Sequence, residues 1–207
     1  MARRKPVSSI FDAFVARLQS LERTRAKMER LYAQSMVAKR DVEHIYGALF
    51  LGAFASLEGM LEDLFLKLLT GRVRVPRSVR SKVTFRSDMV ARGVVFGDRK
   101  YVDWTPYDRT LKRAETLFYG GRPFSKLDPN EIGVIKMVCT IRNAVAHQSG
   151  HARKQFDKEV ISQLTLPPRE RTPTGFLRSI HSSAPDVTRY EQLIGDLTSI
   201  ARNLASG

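Results

Sequence analysis

Apolar positions in the first third of the chain recur with helical spacing. Between Ile10 and about Ala38, the residues Phe11, Phe14, Val15, Leu18, Leu21, Met28, Leu31 and Tyr32 fall on one stripe, with Arg and Glu on the other side. That spacing predicts a long helix whose apolar face is covered by a core or by a second subunit. A second helix is expected from Asp41, placed to cap it, to about Thr70. It is apolar nearly all round through Leu49, Phe50, Leu51, Phe54 and Leu57, which predicts a central position. Gly47, Gly52 and Gly59 each weaken such a helix by about 1 kcal/mol relative to alanine, and the close approach of another backbone is the expected compensation.

The helical rhythm breaks over residues 71–106. Arg72, Arg74, Arg77, Arg80, Lys82, Arg86, Arg92, Arg99 and Lys100 there face only Asp88, Asp98 and Asp103, so a basic, irregular insert is expected. A shorter helix follows from about Tyr107 to Tyr119, closed by Gly120 and Gly121. Asp128, Pro129 and Glu131 then form a start signal: Asp caps, Pro suits the first helical position, and Glu three residues on completes a capping box. This helix should run to about Gln148. Leu166, Pro167, Pro168 and Pro173 read as loop, and Asp186 to Leu204 as a terminal helix packing through Tyr190, Leu193, Ile194, Leu197 and Ile200. The pattern predicts an all-α chain forming a single domain, 1–207, with its core over about 10–150 and a loop and helix over 151–207.

Charge changes the picture from fold to partner. With 35 Lys and Arg against 21 Asp and Glu, the formal charge is +14, which points to a polyanion, nucleic acid first; solubility or an acidic protein partner would produce the same balance. The single cysteine, Cys139, excludes an intramolecular disulfide and reads as a small buried hydrophobe among Val138, Thr140 and Ile141. The basic N-terminus leads into a charged helical pattern instead of an apolar signal core, and the apolar run Ile45 to Leu57 is shorter than the roughly 20 residues a bilayer demands. A reducing, cytoplasmic setting without membrane partners is the expectation.

The helix from Asp128 separates into two stripes. Val134, Val138, Ile141 and Val145 lie on one side, and Lys136, Thr140, Asn143 and His147 on the other. His147 falls in the last turn, where the helix dipole favours a positive charge. Arg142, five residues earlier, lies about 140° round the axis and has to reach towards it. A histidine can take the proton of a ribose 2′-OH or protonate a leaving oxygen, and an arginine can hold phosphoryl oxygens bidentately as charge develops. Asn143, one turn before His147, can orient the imidazole or bind the sugar. These groups suit cleavage of RNA without metal or cofactor, ending in a 2′,3′-cyclic phosphate.

The run Ile141-Arg142-Asn143-Ala144-Val145-Ala146-His147 resembles the signature of the HEPN superfamily, an Arg, a polar residue, three further positions and a His. Requiring Asn after Arg lowers chance occurrence to roughly one in a hundred chains of this length. The earlier run from Ala53 to Asp63, with Glu58 and Glu62, is similar to the acidic early helix of the RiboL-PSP-HEPN branch. The resemblance spans about residues 10–150. It implies an antiparallel helical bundle, a homodimer with its cleft at the two-fold, and metal-independent endoribonuclease activity in a toxin or phage-defence setting, with Arg142, Asn143 and His147 catalytic. Some relatives carry a Tyr two residues after the His, the target of a nucleotidyltransferase antitoxin; Ser149 stands there, which leaves a different antitoxin, or none.

Other residues keep two readings. Glu58 shares a helical face with Phe54, Leu61 and Phe65, so it either pairs with Arg142 or lies with Glu62 on a partly wet edge. Lys136 and Thr140 either touch RNA or are simply solvated. In the insert, Arg77, Arg80 and Lys82 with Phe85, Phe96, Tyr101 and Trp104 either supply phosphate contacts and base stacking, or the aromatic residues anchor the segment on the helices. For the whole chain, a non-catalytic HEPN-like RNA- or nucleotide-binding module, or a helical scaffold, is the alternative to the nuclease.

Overall fold

A computed structural model describes residues 5–147, 149–183 and 185–207. The protein is mostly helical, with 70% helix and 6% strand. The helices are α1 (Ser8–Ala33), α2 (Lys39–Leu69), α3 (Asp88–Phe96), α4 (Tyr107–Leu117), α5 (Pro129–Ala146), α6 (Gly150–Phe156), α7 (Pro173–Arg178) and α8 (Arg189–Ser206). Two short strand pairs accompany them: β1 (Lys5–Pro6) with β2 (Val73–Arg74), parallel, and β3 (Ile180–Ser183) with β4 (Asp186–Thr188), antiparallel. No helix among the described residues is long and apolar enough to cross a membrane.

The two long helices follow the apolar pattern, with different ends. α1 stops at Ala33, and Ser35 takes a left-handed φ of 58° in the turn that follows. Asp41 does not cap α2 from outside. It sits in the first turn and accepts from the Ala38 N–H at 3.2 Å, the backward half of a capping box. The glycines of α2 divide. A Cβ on Gly47 would stand 3.0 Å from Thr174 Cγ2 and 3.2 Å from Val145 Cγ1, so side chains, not backbone, approach there. At Gly52 the nearest atom is a Leu21 methyl at 3.4 Å, and around Gly59 there is open space.

The chain folds as two compact units whose boundaries fall inside α1, α2, α5 and α8. One takes the chain up to Val15, Leu57–Ile135 and Thr198–Gly207. Its centre is aromatic: Phe65 lies 5.1 Å from Trp104, 5.0 Å from Phe118 and 5.1 Å from Phe124, centroid to centroid. The basic insert belongs here and is more ordered than its composition suggests. Ser87 caps α3 through the Val90 N–H, and Val79, Ala91, Phe96, Val102 and Trp104 are buried. Trp104 donates its indole N–H to Glu62 at 3.1 Å and accepts from Thr110 Oγ1 at 2.7 Å through its carbonyl. Of the four aromatic residues proposed to stack bases, only Tyr101 is exposed, so the anchoring reading holds for Phe96 and Trp104.

The other unit takes Ala16–Ser56 and Lys136–Leu197. The described residues after α5 and before α8 form structure of their own. Ser149 caps α6 by accepting from the Ala152 N–H, and Thr172 caps α7 by accepting from the Gly175 N–H, with Pro173 at its first position. Phe156 and Phe176 meet edge to face at 5.8 Å beneath them. A half-buried polar network joins α1, α2, α7 and α8. Arg25 bonds Glu22, Glu191 and the Tyr46 hydroxyl; Tyr46 donates to Glu29 at 2.9 Å; and Arg178 binds the same carboxylate at 2.9 and 3.0 Å.

Candidate active site

α5 is built from its cap. Glu131 N–H donates to Asp128 Oδ1 and Asp128 N–H to Glu131 Oε2, both at 2.9 Å, and Asn203 from α8 donates to Glu131 at 3.0 Å. Ile135, Val138 and Ile141 then bury completely, with Val134, Cys139 and Val145 half-buried. The inner stripe is thus centred one position from the expected one, and Cys139 is less enclosed than expected. α5 ends at Ala146, although the His147 N–H still donates to the Asn143 carbonyl at 2.9 Å. The expected end at Gln148 lies outside the described residues.

Arg142 and Asn143 act as a pair. Arg142 Nη1 donates to Asn143 Oδ1 at 3.0 Å, and the guanidinium carbon lies 4.5 Å from the Phe54 ring centroid. The long side chain thus bonds its neighbour on α5 and stacks on a ring from α2. Phe54 comes from α2 and is almost wholly buried, so it gives the guanidinium a fixed floor. Asn143 and His147 are exposed, one turn apart. One Nη1 N–H of the guanidinium is held by the amide, one face is covered by the ring, and the imidazole of His147, one residue beyond α5, is exposed.

The remaining candidates sort by their partners. Thr140 donates its one hydroxyl proton to Glu159 Oε2 at 2.8 Å, with the Lys136 carbonyl at 3.3 Å, so that donor is taken by the protein; Lys136 is exposed. Glu58, expected either to pair with Arg142 or to lie on a partly wet edge, accepts from Thr105 Oγ1 at 2.8 Å within its own unit and is half-buried. Burial of that carboxylate is answered by a hydroxyl. In the insert, Arg77, Arg80 and Lys82 are exposed, but Arg80 lies 5.3 Å over the Tyr119 ring and Lys82 binds the Glu115 carbonyl at 2.6 Å near the end of α4. Among the described residues, no three His, Cys, Asp or Glu side chains gather as a metal site would require.

A polar cavity of about 520 Å³ in the second unit is lined by Arg25, Glu29, Glu43, Arg178, Asp186 and Glu191 among others. Its cations are matched: Arg25 by Glu22 and Glu191, Arg178 by Glu29, and Lys39 by Glu43 at 3.4 Å. Burial pulls the Arg25 guanidinium down, but its bonds to Glu22 and Tyr46 outweigh this and hold it above its ordinary value. Burial likewise pushes Glu29 up, and Arg178 and Tyr46 hold it below the usual carboxylate range. Such pairing of the half-buried cations is the signature of a structural network.

Neither Phe54 as the floor of Arg142 nor Glu159 as the partner of Thr140 was evident in the sequence. Phe54 carried one signal, an aromatic on the helix expected to be central; Glu159, in a segment read as loop, carried none. Comparison of the chain with protein-family models, with curated proteins and with solved structures gives no significant match, so the family resemblance rests on the motif and the helix that carries it.

Proposed function

We propose that the protein is a metal-independent endoribonuclease of the HEPN type, with Arg142, Asn143 and His147 as its catalytic residues. The observation that carries this reading is the Arg142 guanidinium, held by the Asn143 amide and the Phe54 face, with an exposed His147 five residues on in the sequence. An arginine fixed in plane presents its remaining N–H groups to phosphoryl oxygens at no further ordering cost. The ribose 2′-oxygen attacks the adjacent phosphorus as a histidine removes its proton; the P–O5′ bond breaks and its oxygen is protonated. The products are a 2′,3′-cyclic phosphate and a 5′-hydroxyl, and DNA, lacking the nucleophile, is spared. One histidine serves one of these proton transfers, and a homodimer would supply the second. A cytoplasmic role in toxin or phage-defence action, with the net charge of +14 drawing RNA to the surface, completes the proposal.

Incubating total RNA with the full chain in excess EDTA tests it. Wild type should release fragments ending in cyclic phosphate, and His147→Ala and Arg142→Ala should each lose on the order of a hundredfold or more in rate. Bound but uncut RNA with wild type would favour a binding module or scaffold; cutting that survives His147→Ala would reject the assignment.

A further inference from the structure

Nine large apolar side chains stand exposed among the described residues, and six of them, Val75, Val83, Met89, Val90, Val94 and Tyr101, lie within residues 71–106. That is the segment carrying nine of the Arg and Lys. Three sit on α3. With about 100° between successive residues, Met89 and Gly93 form one row of the helix surface and Val90 and Val94 the next. This outer arc contains no charged side chain, whereas Ala91 and Phe96 bury on the inner side. Met89 is 79% exposed and Val94 54%. A Cβ on Gly93 would meet nothing within 4 Å, so the Met89 row is open at its second position. Arg86 precedes the helix and Arg99 and Lys100 follow it, all exposed.

We propose that the outer face of α3 is a docking surface for an acidic amphipathic helix of a partner protein, with its apolar stripe over Met89, Val90 and Val94 and its carboxylates towards Arg86, Arg99 and Lys100. An uncharged helical arc left in water marks an interaction surface, and its basic flanks require negative charge opposite. RNA supplies the charge but gains little from the aliphatic Met89, Val90 and Val94; of the aromatic residues that would stack bases, Phe96 and Trp104 are buried and the exposed Tyr101 lies outside α3. A two-fold contact with a second copy would set Arg86, Arg99 and Lys100 against themselves. An anionic bilayer would favour Trp, Phe or Leu on the arc and has no use for the gap at Gly93, which lets another helix approach closely. The surface is independent of the proposed ribonuclease activity.

The test is fluorescence anisotropy with the full chain and a synthetic helix of about 20 residues, long enough to be stable alone, with leucines on one stripe and glutamates elsewhere. Saturable binding is expected, weakened at least about tenfold by Val94→Glu or Val90→Glu and by exchange of the leucines for serine. Both variants lie on the exposed arc, so their circular dichroism and RNA cleavage should match wild type. Absence of saturable binding, or binding indifferent to both variants, overturns the proposal. So does the finding that these variants instead abolish flotation with phosphatidylserine and phosphatidylcholine vesicles, or self-association of the chain.

Discussion

Single residues in this protein show how position decides what a side chain or its absence is worth. Gly47 and Gly59 are twelve positions apart on one helix, and alanine would ordinarily improve each by about 1 kcal/mol. Gly59 faces open space, so Gly59→Ala should raise the urea unfolding free energy by that amount. Gly47 lies under Thr174 and beside Val145, which stands between Asn143 and His147 on α5. Gly47→Ala should therefore gain clearly less than Gly59→Ala or lose stability, since the Thr174 and Val145 methyls have to give way. A sequence pattern could name both glycines as anomalies of an apolar helix but not tell them apart, because Thr174 is more than a hundred residues away in the chain. Glu58 teaches the same lesson. Its face was readable, but its partner Thr105 lies 47 positions on, and no local spacing points to it.

At the scale of elements, what was legible was what is written locally. Asp128, Pro129 and Glu131 make a start signal complete within four residues, and α5 begins where they put it. The stripes of α1 and α8 are repeated often enough for the period to show, and α2 shows as a long run apolar nearly all round. The short α6 and α7 were not read, although Ser149 and the pair Thr172 and Pro173 announce them, because helices of six or seven residues hold only through packing such as that of Phe156 on Phe176. The network of Arg25, Tyr46, Glu29 and Arg178 ties four such elements together and leaves a measurable trace in pH. Glu29, held below its ordinary value of 4.5, contributes stability above that pH which is lost as pH falls through the lower folded value. Wild type should therefore lose its advantage over Glu29→Gln as pH drops below 4.5, in thermal unfolding followed across the acid range. A constant gap between the two would show that the carboxylate charge is not what the network uses.

For the molecule as a whole, the excess of positive charge predicts RNA binding that weakens steeply with salt, with a slope in log–log form of about 0.7 per phosphate contacted on a single strand. Filter binding of a non-cleavable RNA should give such a line, and the double variant Arg77→Glu with Arg80→Glu should flatten it by roughly one contact or more. An unchanged slope would remove the insert from the RNA-binding surface. One organisational feature reaches into how the protein is made. Each unit is assembled from separated stretches of chain, and both draw on α8. During synthesis, therefore, no unit has all its parts until α8 has left the ribosome, and the apolar residues of α1 and α2 wait until then for their full cover. Neither unit can close its fold before α8 has been translated.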